Sequence, residues 1–174
     1  MADIRVLLSE EQIDKRVREV AALINKDYAG KSVHFICVLK GSIFFTCELA
    51  KRLDMPVTID FMQVSSYGSD TVSSGVINIK KELDESIEGK NAIIIEDIID
   101  SGNTLYYLRE LLLKRNPESL KICTLLDKPD RRGKDVKVAY VCFEIPDEFV
   151  VGYGLDYDQK YRNLSYVGVV ENLD

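Results

Sequence analysis

The chain has 174 residues, a formal net charge of −6 and a pI near 5.0, with 46% hydrophobic and 30% charged residues. This composition is typical of one globular domain with its own core, and it excludes a disordered chain. No apolar run approaches the roughly 20 residues of a membrane span, and the N-terminus lacks the apolar stretch of a signal peptide. We therefore expect a cytoplasmic protein with no membrane partner.

The charge and the cysteine pattern exclude further classes of protein. An acidic chain with a single histidine, His34, is a poor candidate for a nucleic-acid clamp or for a metal site built from several histidines. His34 lies in an apolar strand segment, and we assign it no catalytic role. The cysteines form no CxxC pair, and we expect buried free thiols in a reducing compartment; they are Cys37, Cys47, Cys123 and Cys142.

The first third of the chain predicts two helices and two strands. Ser9 and Gln12 have the spacing of a capping box, which predicts a helix over residues 9–25. Its apolar face holds Ile13, Val17, Val20, Ala21 and Ile24. Short apolar runs predict strands over residues 33–39 and 57–64, and a helix over residues 43–53 lies between them and is closed before Pro56.

The segment 65–75 reads SSYGSDTVSSG and predicts a long surface loop, of the kind that often serves as a lid. Beyond it, the pattern predicts strands over residues 76–80, 92–95, 120–126 and 138–143, a helix over residues 103–115, and a turn-rich tail from residue 149. Strands that alternate with helices predict an α/β fold with a mostly parallel central sheet flanked by helices. Ligands of such sheets bind beyond the carboxyl ends of the strands. We expect residues 1–174 to form one domain.

Residues 93–104 read IIIEDIIDSGNT and carry the chemistry. The isoleucines predict a buried strand, Glu96 and Asp97 follow where that strand leaves the sheet, and Asp100 comes three residues later. A tight turn then leads into a helix through Ser101, Gly102, Asn103 and Thr104. Backbone N–H groups, hydroxyls and the positive end of the helix form an anion pocket there, and the glycine lets the backbone approach the anion closely.

Two carboxylates directly before such a pocket would repel a phosphate if both faced it. They suit neutral hydroxyl donors instead, such as the cis-diol of a ribose. The run therefore predicts a sugar-phosphate site, with the diol on Glu96 and Asp97 and the 5′-phosphate on the turn. The alternative is an acidic strand end followed by an ordinary helix that Ser101 or Asn103 caps.

The IIIEDIIDSGNT segment resembles the signature for phosphoribosyl pyrophosphate (PRPP) of the type I phosphoribosyltransferases. Its EDIID form resembles the purine-salvage branch, the hypoxanthine-guanine phosphoribosyltransferases. The resemblance extends over nearly the whole chain, through the Leu39-Lys40-Gly41 turn, the Ser66-Tyr67 loop, Lys128, and FEIPDEFVVGYGLDYDQKYRNL at residues 143–164. It implies the type I fold with a small hood formed by the terminal segments. It also implies transfer of the phosphoribosyl group from PRPP to N9 of a 6-oxopurine, Mg²⁺ as cofactor, and a homodimer or homotetramer.

The resemblance implies roles for individual residues. Asp100 would manage a proton at N7 of the purine, with a turn-stabilising residue as the alternative. Lys128 would donate to O6, and Phe149 would stack on the base, whereas without the resemblance they would be a turn lysine and a core aromatic. The remaining implied contacts are Val150 and Asp156 at the purine, Lys40, Gly41 and Arg162 at pyrophosphate, Ser66 and Tyr67 in the lid, and Asp156, Glu96 and Asp97 at Mg²⁺.

Two positions differ among family members, and several alternative interpretations stay open at this point. Asn103 stands where some family members have lysine, and the Leu39-Lys40 bond lies where members can carry a cis peptide. Without the resemblance, Lys40 and Arg162 would be solvated surface charges. The rival function is a PRPP-sensing regulator that binds RNA or DNA, which the charge of −6 and the lack of a basic stripe disfavour. A nicotinamide dehydrogenase is weaker, because no GxGxxG follows a strand.

Overall fold

The computed structural model of the chain describes residues 3–66 and 77–172. Tyr67 and most of the segment expected to act as a lid lie outside these ranges, and of Ser66 only the strand backbone is described. The described elements are, in chain order, β1 (Asp3–Leu8), α1 (Glu10–Asp27), β2 (Val33–Val38), α2 (Ile43–Ala50), β3 (Val57–Ser66), β4 (Ile77–Lys81), β5 (Asn91–Ile99), α3 (Asn103–Leu113), β6 (Ser119–Asp127), a 3₁₀ turn (Pro129–Arg131), β7 (Tyr140–Glu144), β8 (Val150–Val151) and β9 (Val167–Asn172).

The central sheet has the strand order β4-β3-β2-β5-β6-β7. Every pairing in it is parallel except that of β4 with β3 at one edge. A second, antiparallel sheet of order β1-β9-β8 joins the two ends of the described chain. These two sheets confirm the predicted α/β fold with a mostly parallel sheet and a small hood from the terminal segments.

The buried side chains divide between the two faces of the central sheet. Along β5, Ile93 and Ile95 pack with α1 and α2 on one face, whereas Ile94 packs with α3 on the other. The alternation follows because successive side chains of a strand point to opposite faces. All three isoleucines are fully buried, so β5 runs through the centre of the core.

Local signals in α1 are confirmed in detail. The Gln12 amide donates to Ser9 Oγ at 3.2 Å, and the Ser9 amide donates to Gln12 Oε1 at 2.8 Å, which forms the expected capping box. Such a cap contributes about 1 kcal/mol to helix stability. The predicted apolar face is the buried face of the helix.

Three expectations about elements and side chains are wrong. Helix α2 ends at Ala50, three residues early, and a turn follows. Strand β5 continues through Glu96 and Asp97 to Ile99, because the long strand β6 still offers pairing partners there, whereas pairing with β2 ends at Ile95. Cys47 is exposed, since it lies on the solvent side of α2, while the other cysteines are buried.

None of the helices in the described ranges is long and apolar enough to cross a membrane.

Candidate active site

The junction between β5 and α3 forms a small cavity of about 140 Å³, lined by Glu96 and residues 98–105. Gly102 is the N-cap of α3 with φ +81°, a left-handed conformation that favours glycine. The first hydrogen bond within the helix runs from the Tyr106 amide to the Gly102 carbonyl, so the amides of residues 103–105 have no acceptor within the helix. Neither Ser101 nor Asn103 is the N-cap, and the N-cap itself makes no side-chain hydrogen bond. The N-cap expected in the alternative, Ser101 or Asn103, is therefore wrong.

The hydroxyl of Ser101 contributes to this junction from the turn. Ser101 Oγ accepts a hydrogen bond from the Asn103 amide at 3.3 Å. The Ser101 carbonyl accepts hydrogen bonds from the amides of Gly133 and Lys134, at 2.8 and 3.2 Å. The loop after β6 thus braces the turn, and Thr104 adds a second hydroxyl side chain to the cavity lining. The turn has the donors that an anion site requires.

The carboxylates Glu96 and Asp97 are adjacent and half-buried at the end of β5. Burial, together with repulsion from Asp97, raises the pKa of Glu96 well above its usual range, and burial also raises the pKa of Asp97. The Asp97 amide donates to Glu96 Oε1 at 3.2 Å, and the Ile98 amide donates to Asp97 Oδ1 at 2.7 Å. These local bonds leave free acceptor positions on both carboxylates, and hydroxyl donors or a cation would stabilise the pair.

A second group of predicted residues meets at the carboxyl end of β2. The Leu39–Lys40 peptide bond is cis, and Lys40 Nζ donates to Gln159 Oε1 at 3.2 Å. Arg162 donates to the same oxygen at 3.1 Å and to the Gly154 carbonyl at 2.8 Å. Gln159 therefore bridges Lys40, which is exposed, and Arg162, which is half-buried.

Gly41 links the group of Lys40, Gln159 and Arg162 to Glu96 and Asp97, which we call the acid pair. A Cβ atom at Gly41 would overlap the Asp97 carboxylate, and a Cβ atom at Gly154 would overlap the Gly41 carbonyl. The loop after β2 thus lies directly against Asp97, with the chain at Gly154 packed behind it. Arg162 is close enough to oppose the effect of burial on the pKa of Asp97.

Asp156 lies with Arg162 rather than with the acid pair. Its Oδ1 is 3.1 Å from Arg162 Nη2, and its Oδ2 accepts a hydrogen bond from the Gln159 amide at 2.8 Å. Within residues 3–66 and 77–172, no group of three or more histidine, cysteine, aspartate or glutamate side chains is arranged to hold a metal ion. The implied set of Asp156, Glu96 and Asp97 is therefore not gathered as a three-carboxylate site.

The predicted base site lies at the carboxyl end of β6. Lys128 is buried, its amide donates to the Ile99 carbonyl at 2.9 Å, and its Nζ is 3.5 Å from Asp147 Oδ1. Phe149 is 51% exposed and contacts Tyr157 edge to face, so the alternative of a core aromatic is wrong. Val150 is buried in β8. An exposed aromatic face can stack on a planar base, and a buried ammonium group can donate to an acceptor on the edge of such a base.

Comparison with known proteins places the chain among its relatives. A family model described as "Phosphoribosyl transferase domain" matches residues 6–158. The chain belongs to the phosphoribosyltransferase family. A hypoxanthine-guanine phosphoribosyltransferase from Streptococcus thermophilus is 52% identical over 167 residues, which cover 96% of this chain and 93% of the relative. One from Bacillus subtilis is 53% identical with the same coverage.

Solved structures agree with this assignment. A hypoxanthine-guanine phosphoribosyltransferase from Bacillus anthracis superposes with a TM-score of 0.93 at 47% identity, covering 97% of this chain and 99% of that one. A hypoxanthine phosphoribosyltransferase from Staphylococcus aureus has a TM-score of 0.93 at 51% identity, covering 96% and 91%. The family resemblance expected from the sequence is confirmed, and these relatives give no support to a nucleic-acid-binding regulator.

Three residues of this phosphoribosyltransferase contact the predicted site residues and were missed in the sequence. Arg131 Nε donates to Asp100 Oδ1 at 2.9 Å, so Asp100 pairs with an arginine rather than stabilising its own turn. Asp147 faces Lys128, and Gln159 bridges Lys40 and Arg162. No local pattern marks these residues, because each of them meets its partners only through the packing of separate loops.

Proposed function

We propose that this phosphoribosyltransferase transfers the 5-phosphoribosyl group of PRPP to N9 of a 6-oxopurine, hypoxanthine or guanine, and releases pyrophosphate. The product would be IMP or GMP, which makes this a purine-salvage reaction. The observation that carries the proposal is the junction between β5 and α3. The half-buried carboxyl groups of Glu96 and Asp97 lie near the end of β5, and the turn at Gly102 leads from this strand to α3, whose first three amides have no acceptor within the helix. The substrates named for the curated relatives support the choice of purine.

We propose that the sugar phosphate binds at this junction. Ser101, Gly102, Asn103 and Thr104 would hold the 5′-phosphate through amides and hydroxyls. Glu96 and Asp97 would accept hydrogen bonds from the ribose diol. Carboxylates near the sugar would also stabilise the positive charge that develops at C1′ as its bond to pyrophosphate breaks.

The pyrophosphate leaving group is negatively charged and requires positively charged residues around it. The pyrophosphate would bind to Lys40, Gly41 and Arg162. Gln159 accepts hydrogen bonds from both Lys40 and Arg162 and so keeps their two positive charges close together. The electron pair of the breaking C1′–O bond departs with pyrophosphate, while the N9 lone pair forms the new bond to C1′. The planar fork of Arg162 suits two phosphate oxygens.

Asp100 would act on the attacking base. A 6-oxopurine that attacks through N9 carries a proton on N7, and the Asp100 carboxylate would accept it as the C1′–N9 bond forms. General base assistance of this kind contributes typically about 10²- to 10⁴-fold to a rate.

Lys128 would select the base. Its ammonium group can only donate hydrogen bonds, so it favours the O6 acceptor of hypoxanthine or guanine and disfavours the amino group of adenine. Phe149 would stack on the purine, and Val150 and Asp156 would contact its other edge. The half-exposed ring of Phe149 supports this role.

Magnesium fits the donor chemistry of the site. Mg²⁺ is usually bound by one or two carboxylates together with substrate phosphates and waters, so a full protein cage is not required. Glu96 and Asp97 would supply the carboxylates, with Asp156 as a further contact near the pyrophosphate. When bound, Mg²⁺ would offset the negative charge that collects on the leaving group.

Further properties remain proposals. Ser66 and Tyr67 would close over the sugar as part of the lid and exclude water from C1′. A homodimer or homotetramer is supported by the exposed apolar side chains of Ile43 and Phe44 on α2. A cytoplasmic location is supported by the free thiols.

The decisive experiment supplies the purified protein with PRPP, Mg²⁺ and one of hypoxanthine, guanine, xanthine or adenine. We expect nucleotide and pyrophosphate in equal amounts with hypoxanthine or guanine, and little product with adenine. Absence of nucleotide with every base would refute the proposed function. Retention of RNA on a filter in the presence of PRPP, without turnover, would favour the regulator instead.

A further inference from the structure

Four charged side chains form a continuous chain across the base site. Lys128 Nζ lies 3.5 Å from Asp147 Oδ1, Asp147 Oδ2 lies 3.5 Å from Arg131 Nη1, and Arg131 Nε donates to Asp100 Oδ1 at 2.9 Å. Both oxygens of Asp147 are thus engaged, each with a different cation. Arg131 likewise uses separate nitrogens for its two carboxylate partners.

The backbone brings the two ends of this chain together. The Lys128 amide donates to the Ile99 carbonyl, so Lys128 is bonded to the residue directly before Asp100. The Arg131 amide donates to the Lys128 carbonyl at 3.0 Å within the 3₁₀ turn Pro129–Arg131. Proline in that turn restricts its backbone, which limits where Arg131 can point.

Lys128 and Asp100, the two ends of this row of charged side chains, match adjacent atoms of a 6-oxopurine. O6 accepts a hydrogen bond and N7–H donates one, and the two lie side by side on the same edge of the base. We infer that Arg131 and Asp147 are positioning residues, which hold the Asp100 acceptor and the Lys128 donor at the spacing this edge requires. This inference rests on the proposed function.

The exposure of these ion pairs limits what they contribute to folding stability. The side chains of Arg131, Asp147 and Asp100 are 52%, 50% and 48% exposed, and ion pairs this open contribute little to folding stability. Arg131 Nε engages only Oδ1 of Asp100, which leaves Oδ2 to meet the N7 proton. Holding a catalytic group in one orientation affects turnover even where it adds little to stability.

The test is a set of variants measured with hypoxanthine and PRPP: Arg131→Gln, Arg131→Lys and Asp147→Asn, with Arg131→Gln also made in an Asp100→Asn background. Arg18→Gln is the matched control, since Arg18 is an exposed arginine paired with one aspartate on α1. Thermal unfolding of each variant establishes that it folds.

We expect Arg131→Gln to lower kcat roughly two- to fivefold, with an unchanged KM for PRPP and an unchanged unfolding midpoint. Arg131→Lys should recover part of that loss because it keeps the charge but not the directed Nε bond. Asp147→Asn should lower kcat/KM for hypoxanthine, because Asp147 contacts both Lys128 and Arg131. Arg18→Gln should behave as the unaltered protein.

The Asp100→Asn background separates positioning from a structural role. If Arg131 acts through Asp100, Arg131→Gln causes no further loss there. The same fold-loss in both backgrounds, or an unaltered kcat in Arg131→Gln, would overturn the inference. Failure of the unaltered protein to form nucleotide would refute the proposed function instead, so the two failures are distinguishable.

Discussion

Replacement of Gly41 by alanine tests the link between the loop after β2 and the acid pair. The added methyl group would overlap the Asp97 carboxylate, and the loop cannot retreat freely because Gly154 packs against the Gly41 carbonyl. The Asp97 side chain must therefore rotate, which breaks the 2.7 Å bond that its Oδ1 accepts from the Ile98 amide.

The cost can be worked out from these contacts. Loss of the hydrogen bond costs about 1 kcal/mol, and forcing a methyl group into a filled space costs about 1–2 kcal/mol more. A chain of this size loses about 2–4 °C in unfolding midpoint per kcal/mol, so we expect Gly41→Ala to unfold roughly 5–10 °C lower. Because Asp97 is displaced, KM for PRPP should also rise.

Gly133→Ala is the matched control. Gly133 does not have a positive φ, and a methyl group there would lie 3.8 Å from the Ser101 carbonyl, an ordinary contact. Calorimetry and steady-state kinetics with varied PRPP measure both effects. If Gly41→Ala unfolded at the temperature of the unaltered protein and kept its KM for PRPP, the contact between Gly41 and Asp97 would not constrain the site, and the reasoning would be refuted.

Three further perturbations test other parts of the site and the core. Asp100→Asn should fold normally and bind PRPP, yet lose most of its turnover, and an unaltered kcat would remove Asp100 from the mechanism. Lys128→Ala should reduce kcat/KM for hypoxanthine far more than for adenine, whereas an equal reduction for both bases would contradict base selection by Lys128. Burial lowers the pKa of His34 below its usual 6.5, so the unfolded chain binds its proton more readily and stability is lost as pH falls below about 6.5. Urea unfolding at pH 5 and 8 should show a smaller loss in His34→Gln; an equal loss in both proteins would contradict this.

Local sequence patterns were sufficient to predict those features that are determined by residues close together in the sequence. The capping box of Ser9 and Gln12 and the apolar face of α1 are properties of one helix turn and one helix period, and both are confirmed. The turn at Gly102 is likewise marked locally, because glycine permits the positive φ from which α3 begins. The order of residues along IIIEDIIDSGNT therefore predicted the turn into α3 without knowledge of the sheet.

Local sequence patterns gave wrong predictions where contacts with residues distant in sequence determine the structure. β5 extends past Ile95 because β6 supplies partners for Glu96 and Ile99, and no property of residues 96–99 predicts the length of β6. Cys47 sits in an apolar segment, but which face of α2 meets the sheet depends on packing.

The amino-acid sequence by itself determined the alternation of strands and helices, the turn before α3 and the family, because these depend on spacing along the chain. The tertiary structure alone decided which charges meet: Arg131 with Asp100, Asp147 with Lys128, and Gln159 between Lys40 and Arg162. The physical reason is that these pairs join loops from different strands, and side chains of this length can meet only after the sheet has brought the ends of its strands together.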